Sequence, residues 1–215
     1  MSESHDIKHP RFARMYMRCA ARAEARGGAE HRRKLLAGLG GTVLEVGAGH
    51  GVNLPYYPNT VTKLIAVEPE PTLRTAATDA ARTAPIPVDV VPGNAEHLPA
   101  QDASVDAAVA SLVLCSVPSQ RRALEELHRV LRPGGELRFY EHVIGGAVPK
   151  RLMLQALDRS GLWPRLAGGC HPARDTAGAI ASAGFEIESC ERFMFAANRF
   201  EPSIPHILGV AHRRL

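Results

Sequence analysis

The sequence predicts an α/β fold in which helices flank a mostly parallel sheet, and three observations carry that prediction. From residue 42 onward, short β-rich runs alternate with stretches of helical periodicity, the pattern that crossover helices leave between parallel strands. A turn with three glycines in five residues, Gly47, Gly49 and Gly51, follows directly on the first of those runs. A chain of 215 residues is about one domain long and can bury roughly 70% of its unfolded surface in one core.

Residues 10–26 read as an amphipathic helix, with Phe12, Met15, Cys19 and Ala23 on one side and Arg11, Arg14, Arg18 and Arg22 on another. The apolar side is expected to dock on the body and the basic stripe to face solvent. Gly27 and Gly28 break that helix, and a second, short one runs through Leu35 and Leu36 until Gly40 and Gly41 end it. Residues 1–40 therefore read as a helical cap. Strands are expected at 42–46, 63–67, 88–91, 107–112 and 135–141, with two more at 185–192 and 206–212. Helices are expected at 71–82, at 119–131 and at 173–183. In the second of these, Leu124, Leu127, Val130 and Leu131 keep helical spacing and Pro133, Gly134 and Gly135 are expected to stop it. No repeat, low-complexity segment or linker divides the chain, so one domain over 1–215 is expected.

Hydrophobic residues at 45% and charged residues at 22% are the composition of an ordinary globular protein. The longest apolar run, 107–117, is far short of the roughly 18 residues that span a bilayer and reads as a buried strand. The first residues show no apolar stretch of the secretory kind, so a cytoplasmic protein without a membrane partner is expected. The four cysteines form no C-x-x-C pair and the ten histidines show no ligand spacing along the chain, so no metal is expected. The net charge of +4 is scattered, and aromatic residues make up only 5%. That leaves little for base stacking, and no nucleic-acid partner is expected. An RNA-binding or RNA-modifying protein using the arginine stripe is the contrasting possibility.

The turn V-L-E-V-G-A-G-H-G, 43–51, lets the backbone approach a ligand without intervening side chains. Glu68, at the end of the next strand, stands where an acid would hold ribose hydroxyls. A dinucleotide turn, G-x-G-x-x-G, aims a helix N-terminus at a pyrophosphate. Here the third glycine comes one residue early, and Glu45 adds a carboxylate that a phosphate would meet unfavourably. A ligand with no phosphate and with positive charge suits such a site better.

The succession E-V-G-A-G-H-G, Glu68, G-N-A-E-H-L-P and L-R-P-G-G-E-L resembles the class I S-adenosylmethionine-dependent methyltransferases. S-L-V-L-C-S-V at 111–117, F-Y-E-H-V at 139–143 and P-H-I-L-G-V-A at 205–211 are similar to the methyltransferase-11 branch that includes the mammalian alkyl-thiol S-methyltransferases. The resemblance implies a Rossmann-like, doubly wound, seven-stranded sheet with its last strand antiparallel and helices on both faces. It implies S-adenosylmethionine as cofactor, with Tyr16, Glu45, Gly47, Ala48, Gly49, Asn53, Glu68, Pro69, Asn94, Ala95, Glu96, Ser111 and Leu112 around it. Within that set Glu45 to Gly51 cradle the methionine part, Glu68 takes the ribose hydroxyls, and Asn94 with Ala95 flanks adenine. Family members more often carry Asp where Asn94 stands.

The implied acceptor is a small-molecule thiol, with transfer to the oxygen or carbon of a phenol or quinone as the alternative. A thiol with a pKa near 8.5 is partly ionised at neutral pH and needs only mild help. His142, just past the fifth strand with Glu141 beside it, is the candidate for that help, or else a histidine satisfying a loop carbonyl. His171 and His206 are further acceptor-pocket candidates. Phe12, Tyr16 and the segment 149–163, with Leu152, Leu154, Leu157, Leu162 and Trp163, either line an apolar acceptor cavity or belong to the core. The oligomeric state is left open.

Overall fold

A computed structural model of the chain describes residues 10–145, 155–156, 158, 160–161, 169–171, 173–196 and 203–214. Its strands are β1 (Gly41–Val46), β2 (Val61–Val67), β3 (Val88–Val91), β4 (Val105–Ser111), β5 (Leu131–His142), β6 (Phe185–Phe195) and β7 (Ile204–Arg213). They form one sheet in the order β3-β2-β1-β4-β5-β7-β6. β7 runs antiparallel to both of its neighbours, and the pairings among β1 to β5 are parallel. The chain winds outward from β1 in one direction and from β4 in the other. The gap between the carboxyl ends of β1 and β4 is thus the topological switch point, where open α/β sheets bind ligands.

The helices are α1 (Pro10–Ala23), α2 (Ala29–Leu36), α3 (Pro71–Ala81), α4 (Gln120–Val130) and α5 (Thr176–Ser182). Alternation along the strands sends successive side chains to opposite faces, and each face has its own core. On one, Leu44, Val46, Ala108 and Ala110 meet Leu124 and Leu127 of α4 and Ile180 of α5. On the other, Val43, Leu64, Ala107 and Val109 meet Leu35 and Leu36 of α2 and Ala80 and Ala81 of α3. Local chemistry fixes where these helices start. The Glu70 carboxylate accepts from Leu73 N at 2.8 Å, with Pro71 in the first helical position, and Ser119 Oγ accepts from Arg122 N at 3.3 Å.

Three expectations need correction. In α1 the inward residues are Ala13 and Ala20, 0% and 7% exposed, whereas Met15 is 49% exposed and Cys19 lies on the outside. Small side chains let that helix sit close, and Met15 and Cys19 line the solvent side beside the arginines. Residues 112–117 do not continue the fourth strand, because β4 ends at Ser111 and a turn follows in which Leu112 has a φ of +60°. Finally, Pro133, Gly134 and Gly135 do not terminate a helix. α4 already ends at Val130, and the triplet lies inside β5 where pairing jumps from Val105–Leu131 to Ala107–Glu136. It is a bulge in the strand, with Gly134 at φ +77°.

The chain between residues 10 and 36 is nearly continuous helix. Residues 24–28 form a π-type turn in which Gly27 departs from helical geometry at φ +116°, so the break falls where the glycines stand. No helix among the described residues is long and apolar enough to cross a membrane.

Candidate active site

The glycine turn leaves β1 at the switch point and is held there by its neighbours. Ala48 N donates to Val67 O at 3.0 Å, and Gly49 N donates to Glu68 Oε2 at 2.7 Å. The other oxygen of Glu68 accepts from Glu70 N at 2.9 Å. The acid expected to pair with the turn is therefore in direct contact with it. Glu68 is 4% exposed, and burial pushes its carboxyl up to about 7 against those two N–H donors.

Gly47 and Gly49 are favoured for geometric reasons. Both have φ near +60°, where a Cβ is strained. A Cβ on Gly47 would lie 2.5 Å from Val113 Cγ2, and one on Gly49 would lie 3.3 Å from the ring of Tyr16. The turn is thus enclosed by the loop after β4 on one side and by α1 on the other. Tyr16 also meets the His50 ring edge to face at 5.7 Å. Burial raises the pKa of its hydroxyl, and the charges that act on it are those of Arg32, Glu68, Glu45 and Cys115. Tyr16 thus packs directly on the glycine turn.

Beneath the turn runs a buried polar chain. Glu45 is 2% exposed and accepts from Asn53 Nδ2 at 2.6 Å and from Tyr57 Oη at 2.9 Å. Burial pushes its carboxyl up to about 7 against both hydrogen bonds. Asn53 Oδ1 accepts from Arg32 at 2.7 Å, and the same guanidinium donates to Ser111 Oγ at 3.2 Å and to Glu24 at 2.7 Å. Tyr56 Oη closes the chain on Glu24 at 2.9 Å. Glu45 and Asn53 therefore brace the turn from below. Sequence reasoning missed Arg32, Glu24 and Tyr57, because R-R-K in a short basic helix carries no sign of which arginine turns inward.

The remaining expected residues flank this centre. Pro69 is half-buried after Glu68, and its carbonyl accepts from Arg74. Asn94 turns its carbonyl oxygen back onto Glu96 N at 2.9 Å, and Ala95 is buried. The Glu96 carboxylate is committed elsewhere: it accepts from Ser119 N at 2.7 Å at the start of α4. Leu112, half-buried, donates its N–H to Tyr140 O at 2.7 Å.

The loop after β4 is tied down by Glu141, which is fully buried and accepts from Val113, Leu114 and Cys115 N at 3.0, 2.9 and 3.1 Å. Burial pushes the Glu141 carboxyl well above the ordinary range while these three donors pull against it. Next to it His142 points Nδ1 at two sulfurs, Cys170 Sγ at 3.3 Å and Cys115 Sγ at 3.7 Å. Burial opposes a charge on this ring, but Cys115 and Glu141 outweigh it and hold its pKa above the ordinary histidine value. His206 lies against it, rings 4.5 Å apart, and stacks on Tyr140 and Phe193. His171 faces Asp158 at 2.9 Å, while its N–H donates to Cys115 O at 2.7 Å.

The expectation of no metal rested on spacing along the chain. In space, ligand-capable atoms of Cys115, His142 and Cys170 lie within 4.8 Å of one another. Three segments separated by dozens of residues meet there, which spacing cannot reveal. Leu152, Leu154, Leu157, Leu162 and Trp163, and the side chain of Phe12, lie outside the described residues.

The sequence matches the family described as "Methyltransferase domain" over residues 44–139. It is 36% identical to thiol S-methyltransferase TMT1B of Mus musculus, over 83% of this chain and 74% of that protein. It is 34% identical to thiol S-methyltransferase TMT1A of Homo sapiens, over 79% of this chain and 70% of that one. Among solved structures, a SAM-dependent methyltransferase from Thermotoga maritima superposes with a TM-score of 0.68 at 18% identity. That superposition covers 95% of this chain and 97% of the other.

Proposed function

Since the chain belongs to the S-adenosylmethionine-dependent methyltransferases, we propose that it transfers the donor's methyl group to the sulfur of a small-molecule thiol. The observation that carries the thiol reading is the identity of more than one third, over most of the chain, with a relative named for that activity. S-adenosylmethionine is the methyl donor in this family; when bound it supplies a methyl group on a positively charged sulfur.

The residues at the switch point fit that donor. Gly47 and Gly49 hold the turn at left-handed φ, and without side chains they leave its backbone open to a ligand. His50 Nδ1 is buried without a hydrogen-bond partner among the described residues, a polar atom that a bound nucleoside would satisfy. The carboxylates of Glu45 and Glu68 provide the negative field that a cationic ligand prefers over a phosphate.

In this reading Glu68 exchanges the Gly49 N–H for ribose hydroxyls, Asn94 and Ala95 border the base, and the backbone of 47–49 lies along the methionine portion under Tyr16. Glu96 contributes through its backbone, since its carboxylate holds α4. The helices of residues 1–40 act as a cap over the donor, through Tyr16 from above and Arg32 from below, on a single domain. Pro69, Ser111 and Leu112 complete the walls.

Methyl transfer is an in-line displacement, so holding donor and acceptor in register supplies much of the rate. His142 gives the mild assistance a thiol needs to ionise, from a position at the carboxyl edge of β5. The test is a panel of alkyl thiols and phenols, with S-adenosylhomocysteine release and product mass as the readout. Methyl thioethers are the expected products. Methyl ethers or ring-methylated products, with the thiols untouched, would sink the thiol reading.

A further inference from the structure

Cys115 and Cys170 are 1% and 8% exposed, and their sulfurs converge on one nitrogen of His142. A zinc ion held tetrahedrally, about 2.3 Å from sulfur and 2.0–2.1 Å from nitrogen, places each sulfur roughly 3.6 Å from the nitrogen. The observed separations, 3.7 and 3.3 Å, bracket that value. The backbone fixes this arrangement from several sides. Glu141 takes the N–H of Cys115, and His171 N donates to Cys115 O, which holds the Cys170 segment against the loop after β4. Arg174 donates to Leu114 O at 2.7 Å and completes the clamp.

We propose that Cys115, His142 and Cys170 bind one zinc-class ion as a three-ligand centre whose fourth position receives the acceptor thiol. Two thiolates and an imidazole are a soft donor set that selects zinc over calcium or magnesium. Three protein ligands with one open position are the arrangement of reactive rather than structural zinc. The identity of the fourth ligand rests on the thiol reading; the three-ligand site does not.

The centre supplies what a thiol methyltransferase needs without a strong base. A thiol entering the coordination sphere is deprotonated by the ion, and its proton leaves to solvent. A lone pair on that sulfur forms the new S–C bond. The pair of the breaking C–S bond stays on the donor sulfur, leaving a methyl thioether and neutral S-adenosylhomocysteine. The assistance given by His142 is then exerted through the ion it holds. Both cysteines bind the ion as thiolates, so loading the site releases protons and is favoured by higher pH.

The test uses the full chain, stripped with a chelator and titrated with Co2+ alone. One equivalent is expected to give thiolate-to-cobalt charge transfer and tetrahedral visible bands, displaced by Zn2+. A Cys115→Ser/Cys170→Ser double variant loses the bands, and a Cys19→Ser/Cys190→Ser control keeps them. Adding an alkyl thiol shifts the visible bands as the fourth ligand changes. Should the double variant fail to fold, X-ray absorption of the zinc-loaded wild-type chain counts the ligands, with two protein sulfurs and one nitrogen expected. No tetrahedral signature, or a shell of oxygen and nitrogen only, overturns the site. A chain that methylates thiols yet binds no cobalt defeats this inference and leaves the proposed function standing. Cobalt bound through both sulfurs, with bands unmoved by thiols and only phenols methylated, defeats the thiol reading and the fourth-ligand assignment but supports the three-ligand site.

Discussion

Glu45 and Glu68 are buried carboxyls raised to about 7, and this sets two pH dependences of opposite sign. A folded-state pKa above the unfolded value means that the folded chain binds more protons. The stability from these groups is fully present below the unfolded value of 4.5 and is lost as pH rises through about 7. The melting temperature without ligand should therefore fall across that interval. In the proposed binding mode donor affinity moves the other way, because ribose hydroxyls would donate to an ionised Glu68. The affinity measured by calorimetry should weaken by up to about tenfold per pH unit below 7, and Glu68→Gln should flatten that slope while lowering affinity throughout. At Gly49 the constraint is steric. Gly49→Ala should cost about 1–2 kcal/mol for its left-handed backbone, read in urea unfolding, and should weaken donor binding as Tyr16 is displaced.

Among the elements, the loop between β4 and α4 carries the most consequence. Leu112 at φ +60° is strained for a branched side chain, and the Glu141 carboxylate organises the next three residues. Glu141→Gln keeps one acceptor oxygen and turns an NH2 donor toward a backbone N–H. It should destabilise the chain by about 1–3 kcal/mol in thermal or urea melts and lower methyl-transfer turnover as the loop loosens. Such features explain what sequence reading could and could not recover. Strand existence followed from composition and alternation, and all seven strands stand within a few residues of expectation. The apolar run 107–117 concealed a turn at Leu112, because burial continues past the end of the strand and periodicity sees only burial. Pro133, Gly134 and Gly135 read as a helix stop because a bulge is defined by pairing with β4, a partner about thirty residues away. Met15 and Cys19 of α1 turned outward because Ala13 and Ala20 gave close approach where larger side chains were expected to dock.

At the scale of the molecule, a buried guanidinium adds a polar tie between cap and sheet to the apolar packing of α2. Arg32 sits 5% exposed between Glu24, Asn53 and Ser111, so it links the N-terminal helices to the brace under the glycine turn. Removing one partner of a buried pair leaves the other charge uncompensated. Arg32→Ala should lose about 3–5 kcal/mol by urea unfolding, with hydrogen exchange rising first in residues 10–36. The contact between Glu68 and the glycine turn was legible because its parts are local: a strand, a glycine turn, and an acid one strand later. His142 was singled out in the sequence, but its meeting with Cys115 and Cys170 was not legible, since the three are joined only by the winding of the sheet, and Arg32 reaches Asn53 and Ser111 only by the docking of a helix. The claim on which the rest depends is that Glu68 leaves Gly49 to hold a ribose at the switch point between β1 and β4. A crystal structure with S-adenosylhomocysteine tests it most directly. The account predicts both ribose hydroxyls on Glu68 with the glycine turn beneath the amino-acid tail; a nucleoside bound elsewhere, with Glu68 still on the Gly49 N–H, would contradict it.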